Sequence, residues 1–125
     1  MKFEFYNPSN KSIGCVVRTF TKLLNRDFNS VKEELNNFAK SLNYDNYNEI
    51  EVFEKYLENN NYQKIILEAE VLVRDLKLDN GKYAIFCYDK ADYYHLLPII
   101  NNIVYDKKET SLNLCVISVY KLSVK

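Results

Sequence analysis

The order of the hydrophobic patterns along the chain is the feature that most limits its fold. In the N-terminal half, apolar residues recur at helical spacing. From Lys82 onward the pattern changes to β-branched and aromatic runs separated by Asp, Asn, Gly and Lys turns. Helices followed by strands predict an α+β domain, in which a helical layer packs on one face of a C-terminal antiparallel β-sheet.

Three helices are expected before that change. The first begins at Cys15 and runs to Leu24, which places Cys15 in its first turn. The second is indicated by a capping box formed by Ser30 and Glu33. The third extends from Asn48 to Leu57. Apolar residues at helical spacing are expected to face the core from all three: Val16, Phe20, Leu23, Val31, Leu35, Phe38, Leu42, Ile50, Phe53 and Leu57.

Two short elements are expected between the helices and the sheet. Residues Tyr62 to Leu67 are rich enough in β-forming residues for a strand. Residues Ala69 to Leu76 have the spacing of a short helix. The strands of the sheet then come from four runs: Tyr83 to Tyr88, Tyr93 to Ile100, Ile103 to Tyr105, and Leu114 to Leu122.

A hairpin in the C-terminal half brings a base and an acid together. If Asn101 and Asn102 form a two-residue turn, Ile100 faces Ile103, and Leu97 faces Asp106. His95 lies on the same face as Leu97 because side chains alternate along a strand. His95 and Asp106 are therefore expected to be diagonal neighbours across the hairpin.

Composition limits the partners and the compartment. The 125 residues fit one domain, spanning residues 1–125. Lys plus Arg and Asp plus Glu both count 17, which argues against a nucleic-acid partner. No apolar run predicts a signal peptide or membrane span, so no membrane partner is expected. Three cysteines cannot all pair within the chain, and reduced thiols in a cytoplasm are the simpler interpretation.

The residues able to do nucleophilic chemistry are few. His95 is the chain's one histidine. Cys15 is expected at a helix start, where unpaired N–H groups and the helix dipole favour a thiolate. Cys87 and Cys115 lie in apolar strand runs and are expected to be structural. On these residues alone, catalysis remains one hypothesis beside purely structural roles.

The residues around Cys15 and His95 carry a family resemblance. The segment Gly14-Cys15-Val16-Val17-Arg18 and the segment from His95 to Tyr105-Asp106 resemble small phage and bacterial domains related to the papain-like thiol peptidases. The resemblance covers nearly the whole chain and implies a papain-like fold. It further implies Cys15 as nucleophile, His95 as base and Asp106 as the residue that orients the imidazole, with a peptide or protein substrate and no cofactor or metal.

The resemblance also raises the question of the oxyanion donor. Papain-like enzymes generally use a Gln before the cysteine, but the only Gln here is Gln63. An amide from Asn7 or Asn10 is the expected replacement. The expected cleft-lining residues are Tyr93, Tyr94 and Tyr88, together with Arg18 as a structural or field-tuning charge.

Three alternatives stay open. A papain-like fold without activity could serve a phage or mobile element as a protein-binding module. A metal site could use Cys15, Cys87, His95 and Cys115, although no close C-x-x-C spacing supports it. His95 and Asp106 could be a structural pair. The oligomeric state is left open by the sequence.

Overall fold

The computed structural model describes residues 1–9, 14–90 and 93–123, and within them three helices and six strands. Two short 3₁₀ turns, Val73–Asp75 and Glu109–Asn113, complete the regular structure. The elements in chain order are β1 (Lys2–Phe5), α1 (Cys15–Leu24), α2 (Phe28–Ser41), α3 (Ile50–Asn59), β2 (Tyr62–Ile65), β3 (Lys82–Tyr88), β4 (Tyr94–Ile100), β5 (Ile103–Asp106) and β6 (Cys115–Leu122).

The six strands form one mixed sheet in the order β1-β5-β4-β3-β6-β2. The predicted α+β class, with N-terminal helices and C-terminal strands, is confirmed. The C-terminal strands β3 to β6 pair antiparallel, as predicted, but β1 joins β5 in parallel, with Phe5 opposite Asp106, so the sheet as a whole is mixed. β1 was not predicted. Its four residues are mostly exposed, so it shows little of the half-buried alternation that marks a strand.

The sheet separates two hydrophobic cores. The three helices cover one face, and this core contains Val17, Phe20, Leu35, Leu57 and Tyr120. The opposite face is covered by loop segments and the two 3₁₀ turns instead of helices. Its core contains Val73, Ile85, Leu97, Val104 and Leu112.

The helix predicted over Ala69 to Leu76 is wrong except for the 3₁₀ turn at its centre. The backbone here bonds to the start of β6: Val73 N–H donates to Leu114 O at 2.9 Å, and Val116 N–H donates to Val71 O at 2.8 Å. These bonds use groups that a helix would pair internally. Tertiary pairing therefore overrides the local spacing.

The predicted start of α2 is also wrong. The Asp27 carboxylate, not Ser30, caps the helix, accepting hydrogen bonds from the N–H groups of Asn29 (3.1 Å) and Ser30 (3.2 Å). In α3 the buried residues include Phe53 and Leu57 as predicted. Ile50 is 47% exposed, because it begins the helix at the rim of a surface groove.

The hairpin between β4 and β5 positions the residues of the candidate site. Asn101 and Asn102 both have left-handed backbones, with φ of 49° and 65°, as a type I′ turn requires. The predicted pairing of Ile100 with Ile103 is confirmed, but the ladder contains only one further pair. Beyond it α1 packs against β4, where the Thr19 hydroxyl donates to Leu96 O at 2.9 Å. The first turns of α1 thus lie beside the hairpin.

No helix in the described ranges is long and apolar enough to cross a lipid bilayer.

Candidate active site

His95 and Asp106 form a buried pair. The distance from His95 Nε2 to Asp106 Oδ2 is 2.6 Å, and the two residues are 4% and 2% exposed. The predicted contact between His95 and Asp106 across the hairpin is confirmed. Since the carboxylate can only accept, Nε2 carries the hydrogen in this pair, and the neutral imidazole has its free lone pair on Nδ1.

Asp106 is held by three further donors. The Ser111 hydroxyl donates to Oδ2 at 2.6 Å, the Lys107 N–H donates to Oδ1 at 2.7 Å, and the Arg18 guanidinium lies 3.0 Å from Oδ1. Burial acts to raise the pKa of this carboxyl, but the bonds to His95, Ser111 and Lys107 outweigh it and lower the pKa to about 2. Asp106 is therefore ionised at neutral pH.

Arg18 completes this arrangement from α1. Its side chain is buried and reaches Asp106 from the second turn of the helix. Breaking a buried ion pair by removing one partner leaves the other charge uncompensated, which generally costs several kcal/mol. The position of Arg18 fits the expected structural charge, and it also lines a groove beside the site.

Cys15 is the first residue of α1, as predicted, and is partly buried. The first hydrogen bond of the helix runs from Arg18 N–H to Gly14 O at 3.1 Å, so the preceding N–H groups have no partner within the helix. Burial acts to raise the pKa of the Cys15 thiol, but hydrogen bonds from His95 and the Leu96 N–H, with the charge of Arg18, bring the pKa below its usual value. A thiolate is favoured at this position.

The histidine shows the complementary change. Burial acts to lower the pKa of His95, whereas its hydrogen bonds to Asp106 and Cys15 raise the pKa to about 9. A raised imidazole pKa and a lowered thiol pKa together favour a thiolate–imidazolium pair at neutral pH. This is the electronic state that a cysteine nucleophile needs.

The other two cysteines are buried and make no disulfide, as expected for structural thiols. Cys87 lies opposite His95 in the β3–β4 ladder, and its Sγ donates to the His95 carbonyl at 3.4 Å. Burial and nearby negative charge raise the pKa of Cys87 well above its usual value. Among the described residues, no group of three or more His, Cys, Asp or Glu side chains is arranged to hold a metal ion.

Two tyrosines lie at the mouth of the site. The Tyr93 hydroxyl is 3.1 Å from His95 Nδ1, and its ring stacks on the imidazole with centroids 5.6 Å apart. Tyr94 stacks on Phe86 with centroids 5.7 Å apart. Tyr93 and Tyr94 line surface grooves beside Cys15, while the Tyr88 hydroxyl bonds to Glu70 and Tyr88 is not among the groove-lining residues.

Two grooves meet at the Cys15–His95 pair, and Tyr94 borders both. The polar groove is lined by residues that include Arg18, Tyr93, Lys107, Lys108, Thr110 and Ser111. The apolar groove is lined by residues that include Val16, Ile50, Phe53, Phe86 and Leu96. Cys15 and His95 are lining residues of both grooves.

Of the two asparagines expected to stabilise an oxyanion, only Asn7 is among the described residues. Asn10 lies outside the described residues. Asn7 is not among the residues lining either groove, and its Oδ1 is buried with no hydrogen-bond partner within the described part of the chain. The role of Asn10 stays a prediction.

Sequence reasoning missed Ser111 and the bond of Tyr93 to the imidazole. Ser111 lies in the 3₁₀ turn after β5, and no local pattern distinguishes it from other serines. The contact of Tyr93 with His95 could have been predicted, because residues two apart in a strand lie on the same face of the sheet.

Comparison with known proteins yields no match: no family model, curated protein or solved structure is significantly similar to this chain.

Proposed function

We propose that this protein is a papain-like thiol hydrolase that uses Cys15, His95 and Asp106 as a catalytic triad. The observation that carries the proposal is that one buried imidazole contacts both the Asp106 carboxylate and the thiol that begins a helix. The matching shifts in the pKa of thiol and imidazole are the electronic counterpart of that geometry.

The mechanism follows from the roles of these atoms. The Cys15 thiolate attacks the carbonyl carbon of an amide, and the carbonyl oxygen takes up the electron pair. Protonated His95 then gives its Nδ1 proton to the leaving amine, which leaves a thioester on Cys15. Water attacks the thioester while His95 accepts its proton, and the acid product leaves with Cys15 restored. Asp106 keeps Nε2 protonated throughout.

The proposed substrate is a peptide or protein. The two grooves that continue on either side of Cys15 are suited to an extended chain. The order Cys, His, Asp along the sequence and the helix-start cysteine support a papain-like relationship. Three free thiols, two of them buried, are in keeping with a reducing cytoplasm as the place of action.

The test is to trap the thioester. The protein is mixed with p-nitrophenyl acetate, quenched in acid and digested, and the acetylated cysteine is located by mass spectrometry. We expect acetyl on Cys15 in the wild type, and a loss in His95→Ala. Cys115→Ser is the matched control because it removes a thiol remote from His95 and should be acetylated like the wild type. Absence of acetyl from wild-type Cys15 would contradict the proposal.

One observation favours a second function, that of an inactive papain-like domain acting as a protein-binding module. The Tyr93 hydroxyl occupies the nitrogen of His95 that must exchange a proton with Cys15. If that contact is permanent, the imidazole is not free to act as a base. The binding module predicts no acetyl-thioester in the wild type, so the same experiment separates the two functions.

A further inference from the structure

The backbone of Tyr93 forms two hydrogen bonds with Asp89, while its side chain is partly exposed to solvent. Its N–H donates to Asp89 Oδ1 at 3.2 Å, and its carbonyl accepts from the Asp89 N–H at 3.0 Å. These two bonds link Asp89, just after β3, to Tyr93, just before β4. The residue is 51% exposed, and its ring stacks on His95 within the polar groove. The hydroxyl is therefore positioned next to the reacting groups while remaining reachable by a ligand.

Whether the Tyr93 hydroxyl donates its hydrogen to His95 depends on the protonation state of the imidazole. When the imidazole is neutral, Nε2 carries the hydrogen bonded to Asp106, so Nδ1 can only accept, and the Tyr93 O–H donates to it. When Nδ1 is protonated, it becomes a donor, and the Tyr93 oxygen can only accept from it. The transfer of a proton to His95 therefore frees the Tyr93 hydrogen for another acceptor.

An acceptor for that hydrogen forms in the next step of the proposed reaction. Attack by Cys15 places a negative charge on the carbonyl oxygen of the substrate, and hydrolases of this kind need donors aimed at that oxygen. The N–H groups at the start of α1 are available. Among side-chain donors lining the polar groove, Arg18 and Ser111 are already bonded to Asp106. Within the described ranges, the Tyr93 hydroxyl has the imidazole of His95 as its hydrogen-bond partner.

We propose that the Tyr93 hydroxyl, which lies against His95 Nδ1, is an oxyanion donor that donates a hydrogen bond to the substrate oxygen in the tetrahedral intermediate. This inference depends on the proposed hydrolase function and adds a catalytic residue to it. The step is balanced: the Cys15 sulfur forms a bond to carbon, the carbonyl π pair moves to oxygen, and Tyr93 donates a hydrogen bond without losing its proton. The proton on Nδ1 later leaves with the amine.

Two reactions of Cys15 separate this role from a structural one. Acetylation by p-nitrophenyl acetate passes through an oxyanion, whereas alkylation by iodoacetamide displaces iodide from a CH₂ group and forms none. We expect Tyr93→Phe to slow acetylation of Cys15 by about 10-fold or more, because loss of one oxyanion donor commonly has at least that effect. Alkylation should stay within about 2-fold of the wild type, or increase, since Nδ1 loses a competing hydroxyl.

Tyr88→Phe is the matched control. Tyr88 is a half-buried tyrosine at the end of β3 whose hydroxyl bonds to Glu70 outside the grooves. In Tyr88→Phe, Cys15 should be acetylated and alkylated at the same rates as in the wild type.

Two results for Tyr93→Phe would overturn the inference. Unchanged acetylation would show that the Tyr93 hydroxyl does not stabilise the oxyanion. A parallel fall in acetylation and alkylation would show that Tyr93 only positions His95. Failure of the hydrolase proposal looks different, because wild-type Cys15 would then not be acetylated at all, and both conclusions would fall together.

Discussion

Cys15 and Cys87 contact the same histidine, yet their surroundings are opposite. Cys15 begins a helix and reaches the imidazole, with a pKa below its usual value. Cys87 is 0% exposed in the middle of the sheet and reaches only the backbone carbonyl of His95, with a raised pKa. Burial acts on both thiols in the same direction, so the difference comes from which part of the histidine each one meets.

The comparison shows that closeness to a histidine does not make a cysteine nucleophilic. A thiol becomes a thiolate when a proton acceptor and positive charge face its sulfur. Cys15 has both, from the imidazole and from Arg18. Cys87 instead lies near the negative charge of Asp106, which adds to the effect of burial. The same carboxylate thus activates one thiol through His95 and suppresses the other.

The largest expected effect is at the thiols themselves. Cys15→Ala should abolish acetyl transfer from p-nitrophenyl acetate, a loss of about 10³-fold or more, because the proposed nucleophile is removed. Cys87→Ala should keep the rate within about 2-fold, since a buried inert thiol takes no part in it. Release of p-nitrophenol in the first turnover measures both. Equal losses in the two variants would break the distinction between the thiols.

Asp106→Asn should shift the pKa values of Cys15 and Cys87 in opposite directions. His95 loses the carboxylate that raises its pKa, so the pKa of Cys15 should increase, while the pKa of Cys87 should decrease as negative charge is removed. Acetylation should fall by about 10²-fold or more, as expected when a triad loses its orienting carboxylate. The acetylation rate and the labelling pH profile of each cysteine, followed by mass spectrometry, test this. Shifts of the same sign would contradict the comparison.

Asp106 should also make stability depend on pH in acid. Its pKa is about 2 in the folded protein and 3.8 ordinarily, so its contribution is present above pH 3.8 and is lost as pH falls through 2. The shift corresponds to about 2 kcal/mol. Urea unfolding of wild type and Asp106→Asn at several pH values should give curves whose difference shrinks towards pH 2. A difference that stays constant with pH would exclude this linkage.

Ser111→Ala should have the smallest effect. It removes one of the donors to Asp106 Oδ2 but leaves the His95 bond in place. We expect a loss of about 1 kcal/mol in the free energy of unfolding and a reduction of about 2-fold to 5-fold in acetylation. Asp27→Ala is the matched control: loss of the α2 cap costs about 1 kcal/mol but should leave acetylation unchanged. Equal acetylation rates in Ser111→Ala and Asp27→Ala would show that Ser111 does not contribute to the reactivity of Cys15.

Local patterns predicted the elements that carry the site. The helix start at Cys15, the Asn101-Asn102 turn and the contact of His95 with Asp106 all follow from residues close together in sequence. Strand alternation sufficed for the acid–base contact, even though the β4–β5 ladder ends after two pairs.

Most of the features that the sequence did not predict are set by tertiary packing, and the cap of α2 is a local exception. Arg18 and Ser111 meet Asp106 only because α1 packs beside the hairpin and a 3₁₀ turn follows β5. The segment predicted as a helix at Ala69 to Leu76 instead pairs with β6, and α2 is capped by Asp27, which lies ahead of the predicted capping box. In each case a distant or overlooked partner competes with the local pattern.

The most direct test of the Cys15–His95 pair is the pH dependence of iodoacetamide alkylation at each cysteine, compared between wild type and His95→Ala. We predict that wild-type Cys15 is alkylated rapidly below pH 7 while Cys87 is not, and that His95→Ala slows Cys15 by about 10-fold or more at that pH with a profile like that of an ordinary thiol. A Cys15 profile that is thiol-like in the wild type and unchanged in His95→Ala would contradict the account.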